Sequence, residues 1–393
     1  MSAMKNSKLR IVFFGYIVRG PIGGLAWHHA QYVLGLKKLG HDVCFVEDSD
    51  DYPACYDPRS NEIGIDASYG LRFIEEFFNR LGLEENWAYY DAHHGEWFGK
   101  TKEASLNFFA SADLLLNLSG VNPLRYWALQ IPRKVFIDTD PAFVQIRHLK
   151  DENARKLAEN HDSFFTFGEN FEAKDCLIPD DGFDWIPTRQ PVVLDVWKVL
   201  PGNPQANWTT VMQWDSYQTV EFGGRIFGMK SMSFDDYLNL PKERTSESFE
   251  LAVGSESAPR KALQNFGWKL VNPLIPTRTP WNYQEFIQNS KAEWSIAKQG
   301  YVASRSGWFS ERSTAYLASG RPVLTQETGF SKVIASGEGL LSFSSLGEAV
   351  DGIDRINSDY KFHCKKAREL AQEYFSYADV LTRLIENIYA MRI

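Results

Sequence analysis

The sequence has 393 residues, 44% hydrophobic and 23% charged, enough for two packed domains of about 150–200 residues each. A formal net charge of −8 argues against a nucleic-acid backbone as the main partner, since such partners are held by clustered Lys and Arg. No run approaches the ~18 apolar residues needed to span a bilayer, so any membrane contact is expected to be peripheral.

Lys5, Lys8 and Arg10 precede the run IVFFGYIV and imitate a signal peptide. The apolar run is short and is followed by Arg19 and Gly20 rather than by small residues suited to cleavage, so residues 11–14 are expected to form a first buried strand. A glycine-rich loop over 15–24, a helix over 25–39 and a strand over 43–46 make one βαβ unit, which calls for a parallel sheet. Residues 48–67 are acidic and contain prolines, as a surface insertion would, and a helix is expected over 71–83. The aromatic, polar segment 88–100 has no clear period, and strands are expected again at 114–118, 135–137 and 164–167.

Prolines at 179, 187, 191, 201 and 204 mark 179–207 as a linker. A second series of strands and helices follows, with strands at 210–213, 249–253, 268–271, 294–297, 323–324 and 340–343. Helices close the chain from Ser345 onward. The fold class expected is α/β, with two tandem Rossmann-like doubly wound domains, 1–195 and 196–373, facing across a cleft. Residues 374–393 are expected to form a helix that packs back on the first domain. Ligands of such sheets bind outside the carboxyl ends of the strands. The four cysteines, Cys44, Cys55, Cys176 and Cys364, show no paired or metal-like spacing, as expected for a reduced, cytoplasmic protein.

The stretch 303–326, ASRSGWFSERSTAYLASGRPVLTQ, reads as loop, helix, stop and strand. Ser310 suits an N-cap and Glu311 the first turn, while Gly320 and Pro322 end the helix. A loop of small polar residues entering a helix N-terminus can hold an anion on free N–H groups. It is expected to hold the diphosphate of a nucleotide sugar, with an ordinary loop and helix as the alternative.

Several motifs point the same way. Gly23-Gly24-Leu25-Ala26-Trp27-His28 is followed by Leu36 and Gly40-His41-Asp42-Val43; Gly224-Arg225 is followed by Lys230; and Tyr316-Leu317-Ala318-Ser319-Gly320-Arg321-Pro322-Val323 closes the series. In this order they resemble glycosyltransferases of the GT-B fold, family 4. The resemblance implies transfer of a sugar from a nucleoside-diphosphate sugar to a hydroxyl acceptor, with no metal and no further cofactor. It implies a donor site on the second domain at Arg225, Lys230, Ser304, Arg305, Ser306, Gly307, Ser310, Glu311 and Arg312, with Arg321 in reserve. The family's paired glutamates fall here on Gly307 and Ala315. Glu311 lies one helical turn before Ala315 on the same face, and is expected to bind the donor ribose or sugar hydroxyls in their place.

On the acceptor side, Gly23, Gly24 and His28 follow the family pattern, while His29 falls nearer the apolar stripe and suits the core. Asp138 and Asp140, at the end of the strand KVFI, are candidates to orient His28 or to take the acceptor proton, with a turn or cap before Pro141 as the alternative. His94 and Trp97 lie in a segment better suited to acceptor contact than to metal binding. Three other readings remain at this stage. One is a dinucleotide enzyme with Glu47 as ribose acid, although GPIGG is not GxGxxG. The others are a non-catalytic sugar-nucleotide or glycan-binding protein and a GT-B-like sugar-nucleotide epimerase. Oligomeric state, donor and acceptor are not specified by the sequence.

Overall fold

The computed structural model describes residues 8–391; Lys5, in the basic run before the first strand, lies outside them. Two sheets organise the chain. The first has eight strands in the spatial order Trp185–Pro187, Ser163–Thr166, Lys134–Asp138, Leu114–Leu118, Arg10–Phe14, Asp42–Asp48, Trp87–Asp91 and Glu96–Gly99. All pair in parallel except the last, which is antiparallel to its neighbour. The second has six parallel strands in the order Lys269–Val271, Phe249–Gly254, Trp208–Gln213, Ala292–Ser295, Val323–Gln326 and Leu340–Phe343. Numbered along the chain, that is the doubly wound order 3-2-1-4-5-6. Its order of strand addition reverses between Trp208–Gln213 and Ala292–Ser295, and the corresponding switch in the first sheet lies between Arg10–Phe14 and Leu114–Leu118.

The central strands are apolar on both faces because helices cover both sides. Ile11, Val12, Phe13, Leu114, Leu115 and Leu116 are all fully buried. Local expectations that fail do so at polar or mixed segments. The segment 88–100, without a clear period in the sequence, forms most of the hairpin Trp87–Asp91 and Glu96–Gly99, and Trp185–Pro187 within the expected linker adds an edge strand to the first sheet. The insertion 48–67 contains a small antiparallel pair, Cys55–Asp57 with Glu62–Gly64. An unanticipated hairpin, Val220–Phe222 with Arg225–Phe227, projects from the second domain.

One apolar core runs through both domains. It joins Trp27, Tyr32 and Phe45 to Tyr283, Tyr316, Leu317, Phe375 and Leu381. The closing helix Tyr377–Ala390 crosses onto helix Gly23–Lys38, where a Cβ at Gly35 would sit 2.6 Å from Leu381 Cδ1. Among the described residues, no helix is long and apolar enough to cross a membrane.

Candidate active site between the two sheets

The loop after the first strand is built around an internal anion. Glu47 is fully buried and accepts the backbone N–H groups of Ile17, Val18 and Arg19 at 2.6, 2.7 and 2.7 Å, with the Arg19 guanidinium beside it. Burial raises its carboxyl above the ordinary range, against the pull of Arg19 and those N–H groups. The carboxylate is therefore occupied, which removes it as a ribose ligand and with it the basis of the dinucleotide reading.

Helix Gly23–Lys38 starts two residues earlier than expected, at the glycines themselves. Gly23 is there for packing. A Cβ on it would lie 2.4 Å from the Thr279 carbonyl oxygen of the second domain, and one on Gly24 would lie 3.0 Å from the Tyr283 ring. Trp27 adds a hydrogen bond from Nε1 to the Pro280 carbonyl at 2.7 Å. These glycines let helix Pro280–Asn289 approach rather than open a cradle for an anion.

His28 sits one turn further on. It is half-buried, packs edge-on against Tyr32 and Phe167, and leaves Nδ1 without a protein partner. Burial lowers its basicity and Glu311 opposes that effect. His29 is fully buried, bonded through Nδ1 to the Leu25 carbonyl, and pushed down to about 3 by burial. The expected division between a cleft-side and a core histidine is therefore present. A cavity of about 20 Å³, room for a single water, separates the two domains here; Gly24, His28, Gln31, Gln190, Glu311 and Thr314 line it. A larger cavity of about 610 Å³ lies between the linker at Val199–Gly202 and helix Tyr360–Phe375, and none of the expected site residues lines it.

Segment 303–326 folds largely as read. Ser310 caps helix Glu311–Ala318 by accepting the Arg312 N–H at 3.2 Å, and Gly320 takes the left-handed conformation with φ of 68°. The loop before it differs from expectation. The N–H groups of Arg305, Ser306, Gly307 and Trp308 go to Val302, Tyr301, Thr328 and the Ser306 hydroxyl, so these four are not available to a diphosphate. The loop instead docks on the first domain: Ser304 and Ser306 carbonyls accept from Leu177 and Asn170 at 2.7 and 3.1 Å. Arg305 is exposed and pairs with Asp175. Arg312 is buried against the fully buried Glu293 at 2.5 Å and donates to the Val211 carbonyl, a structural tie inside the second domain. Arg321 is likewise committed, to the carbonyls of Gln288, Leu200 and Pro201.

Two donor-side candidates remain, Glu311 and Lys230. Glu311, half-buried, lines the cavity opposite His28. Lys230 opens the short helix Lys230–Phe234 and is half-buried; desolvation, then Arg312 and Lys298, push it down to about 7, while Glu311 and Glu293 oppose. Arg225 points elsewhere, exposed on the projecting hairpin.

Asp138 is fully buried and accepts from Gln145 Nε2, Thr166 Oγ1 and the Asp140 N–H at 3.0, 2.8 and 2.7 Å. Burial raises it to about 6. It shapes the loop and is not placed to touch a substrate, contrary to the catalytic expectation. Asp140 reaches the other domain. Its carboxylate accepts from Lys298 Nζ at 2.9 and 3.1 Å and from the hydroxyls of Tyr217 and Tyr301. Both of its carboxylate oxygens are thereby occupied by donors of the second domain. Lys298, Tyr217 and Tyr301 carried no sequence signal; the second sheet's switch point brings them together. His94 is exposed and bonded to Asp91 at 2.8 Å, and Trp97 packs on Tyr90 and Trp127, both at the far edge of the first sheet. Among the described residues no three His, Cys, Asp or Glu side chains group as a metal site.

No family model matches the chain, and no curated protein sequence matches it. Solved structures do. It is similar to an alpha-glucosyltransferase solved with UDP and a mismatch-containing 13-mer DNA, at 11% identity and a TM-score of 0.60, covering 98% of this chain and 100% of that one. It is similar to HepE of Anabaena solved with UDP and glucose, at 11% identity, TM-score 0.55, covering 98% and 100%. It is also similar to sucrose-phosphate synthase of Thermosynechococcus elongatus, at 12% identity, TM-score 0.53, covering 97% and 99%. The chain has the architecture these proteins share, the GT-B fold of two Rossmann-like domains.

Proposed function

We propose that the chain is a glycosyltransferase that moves a sugar from a nucleoside-diphosphate sugar to a hydroxyl acceptor in the cleft between its two domains. The observation that supports this most is the position of Glu311. It lines the interdomain cavity opposite His28 and favours the charged forms of both His28 and Lys230. The neighbours solved with UDP make a uridine nucleotide the first donor to test.

In this reading Lys230 stabilises the negative charge that develops on the departing diphosphate, a role suited to a preorganised cation in a water-poor site. Glu311 accepts hydrogen bonds from ribose or sugar hydroxyls. His28, whose basicity burial lowers, receives or shares the hydroxyl proton on the acceptor side. Because side-chain cations supply the charge, transfer is expected to continue in EDTA. The net charge of −8 keeps a nucleic-acid acceptor out of the proposal.

Ala315 at the family's glutamate position favours a second reading, a binding protein of the same fold that performs no transfer. Incubation of the chain with UDP-glucose, without acceptor, separates the two. Slow release of UDP that is lost in Glu311→Ala supports the transferase. Tight binding with no release, across a panel of UDP, GDP, ADP and dTDP sugars, supports the binding protein.

A further inference from the structure

We propose that Asp140, Lys298, Tyr217 and Tyr301 form an anion-responsive clasp between the domains, in which Asp140 holds the Lys298 ammonium until a nucleoside diphosphate competes for it. The inference rests on the donor site proposed above. The four residues lie outside the sequence motifs named above.

Three observations carry it. First, the cluster crosses the cleft. Asp140 follows strand Lys134–Asp138 of the first sheet, whereas Lys298 and Tyr217 follow the two strands that flank the second sheet's switch point, where ligands of such sheets sit. Second, the pair is sheltered. The Lys298 and Asp140 side chains keep 13% and 26% of their exposure. The ammonium lies 4.3, 5.0 and 5.3 Å from the ring centres of Tyr217, Phe143 and Tyr301, an aromatic cage that stabilises a cation. An apolar patch of Ala142, Phe143 and Ile146 from one domain against Phe227, Met229 and Ala297 from the other backs it. The projecting hairpin extends this patch, its Glu221 carbonyl accepting from Lys150 at 2.7 Å. Third, Lys298 is within Coulomb range of Lys230. The two cations repel, and an anion between them removes that repulsion. Asp140 is the carboxylate such an anion displaces as the partner of Lys298.

The test is a titration of wild type, Asp140→Asn, Lys298→Met and the double variant with UDP and, separately, with inorganic pyrophosphate. Asn keeps the shape of Asp and removes its charge, so Lys298 is freed. The Asp140→Asn chain is expected to bind UDP about three- to tenfold more tightly, Lys298→Met about tenfold more weakly, and the Asp140 effect is expected to vanish in the Lys298→Met background. Tyr217→Phe, which keeps both charges, is expected to move affinity in the same direction as Asp140→Asn by a smaller factor. Unchanged or weaker binding by Asp140→Asn, or a gain that persists without Lys298, overturns the clasp while leaving the donor site intact. If wild type binds neither probe, the donor site fails and the competition with it. Hydrogen exchange then decides the mechanical half. Faster exchange in helices Phe143–Lys150 and Gln299–Ser304 of Asp140→Asn supports the clasp, and equal exchange overturns it.

Discussion

Lys230 is a lysine whose charge is in play near neutrality, because burial and two neighbouring cations hold it at about 7. A diphosphate beside it favours the ammonium and raises that value, so binding takes up a proton between the free and bound values. UDP affinity is therefore expected to be highest below pH 7 and to fall by about tenfold between pH 7.5 and 8.5. Lys230→Met is expected to bind more weakly and to lose that dependence; an identical pH profile in calorimetric titrations of both chains contradicts the assignment. Asp138 titrates with a consequence for stability. Its folded value of about 6 lies above the ordinary 3.8, so the folded chain holds the proton more tightly. The contribution is full below about pH 4 and is lost as pH rises through 6. Asp138→Asn is expected to flatten that part of the stability curve measured by urea unfolding, and an unchanged slope counts against the buried assignment. At this scale the sequence is informative where causes are local. Ser310, Gly320 and Pro322 act within a turn of their own positions, and helical spacing separates His28 from His29. Asp140 and Lys298 are 158 residues apart, and only the crossing of two sheets makes them neighbours.

Helix Gly23–Lys38 contacts more of the molecule than its length suggests. One end meets helix Pro280–Asn289 through Gly23 and Gly24, and the last turn meets the closing helix through Gly35. Gly23→Ala places a methyl against the Thr279 carbonyl and is expected to cost about 1–3 kcal/mol in chemical unfolding, with cleft geometry disturbed as well. A cost near zero means that the helices do not meet as described. The glycine pair was visible in the sequence, but its role was not, because a glycine required for close approach and one required for a turn look alike in one chain. The hairpin Trp87–Gly99 was missed for a related reason: Tyr89, Tyr90, Trp97 and Phe98 place aromatics on both faces and blur the alternation that marks a strand. The buried parallel strands, continuous runs such as IVFF and LLL, were legible because burial on both faces leaves an uninterrupted apolar signal.

Across the whole molecule, two Rossmann-like sheets share one core and bring their carboxyl ends together at a cleft. For the transfer proposed above, such a cleft serves to keep out water, which would otherwise hydrolyse the donor. Its order was readable from alternating strands and helices. The partners across the cleft were not, since the loop 304–307 docks on the first domain through backbone bonds that any sequence can make. In the function proposed above, a nucleoside diphosphate sugar binds in the interdomain cleft, with Lys230 and Glu311 as its second-domain contacts. Calorimetric titration of wild type and Glu311→Ala with UDP-glucose, GDP-, ADP- and dTDP-sugars and NAD tests this most directly. The prediction is one-site binding of a single nucleotide-sugar class, no binding of NAD, and a loss of about 1.5–3 kcal/mol in Glu311→Ala from hydrogen bonds to a charged group. Binding of NAD alone, or sugar-nucleotide binding untouched by Glu311→Ala, contradicts it.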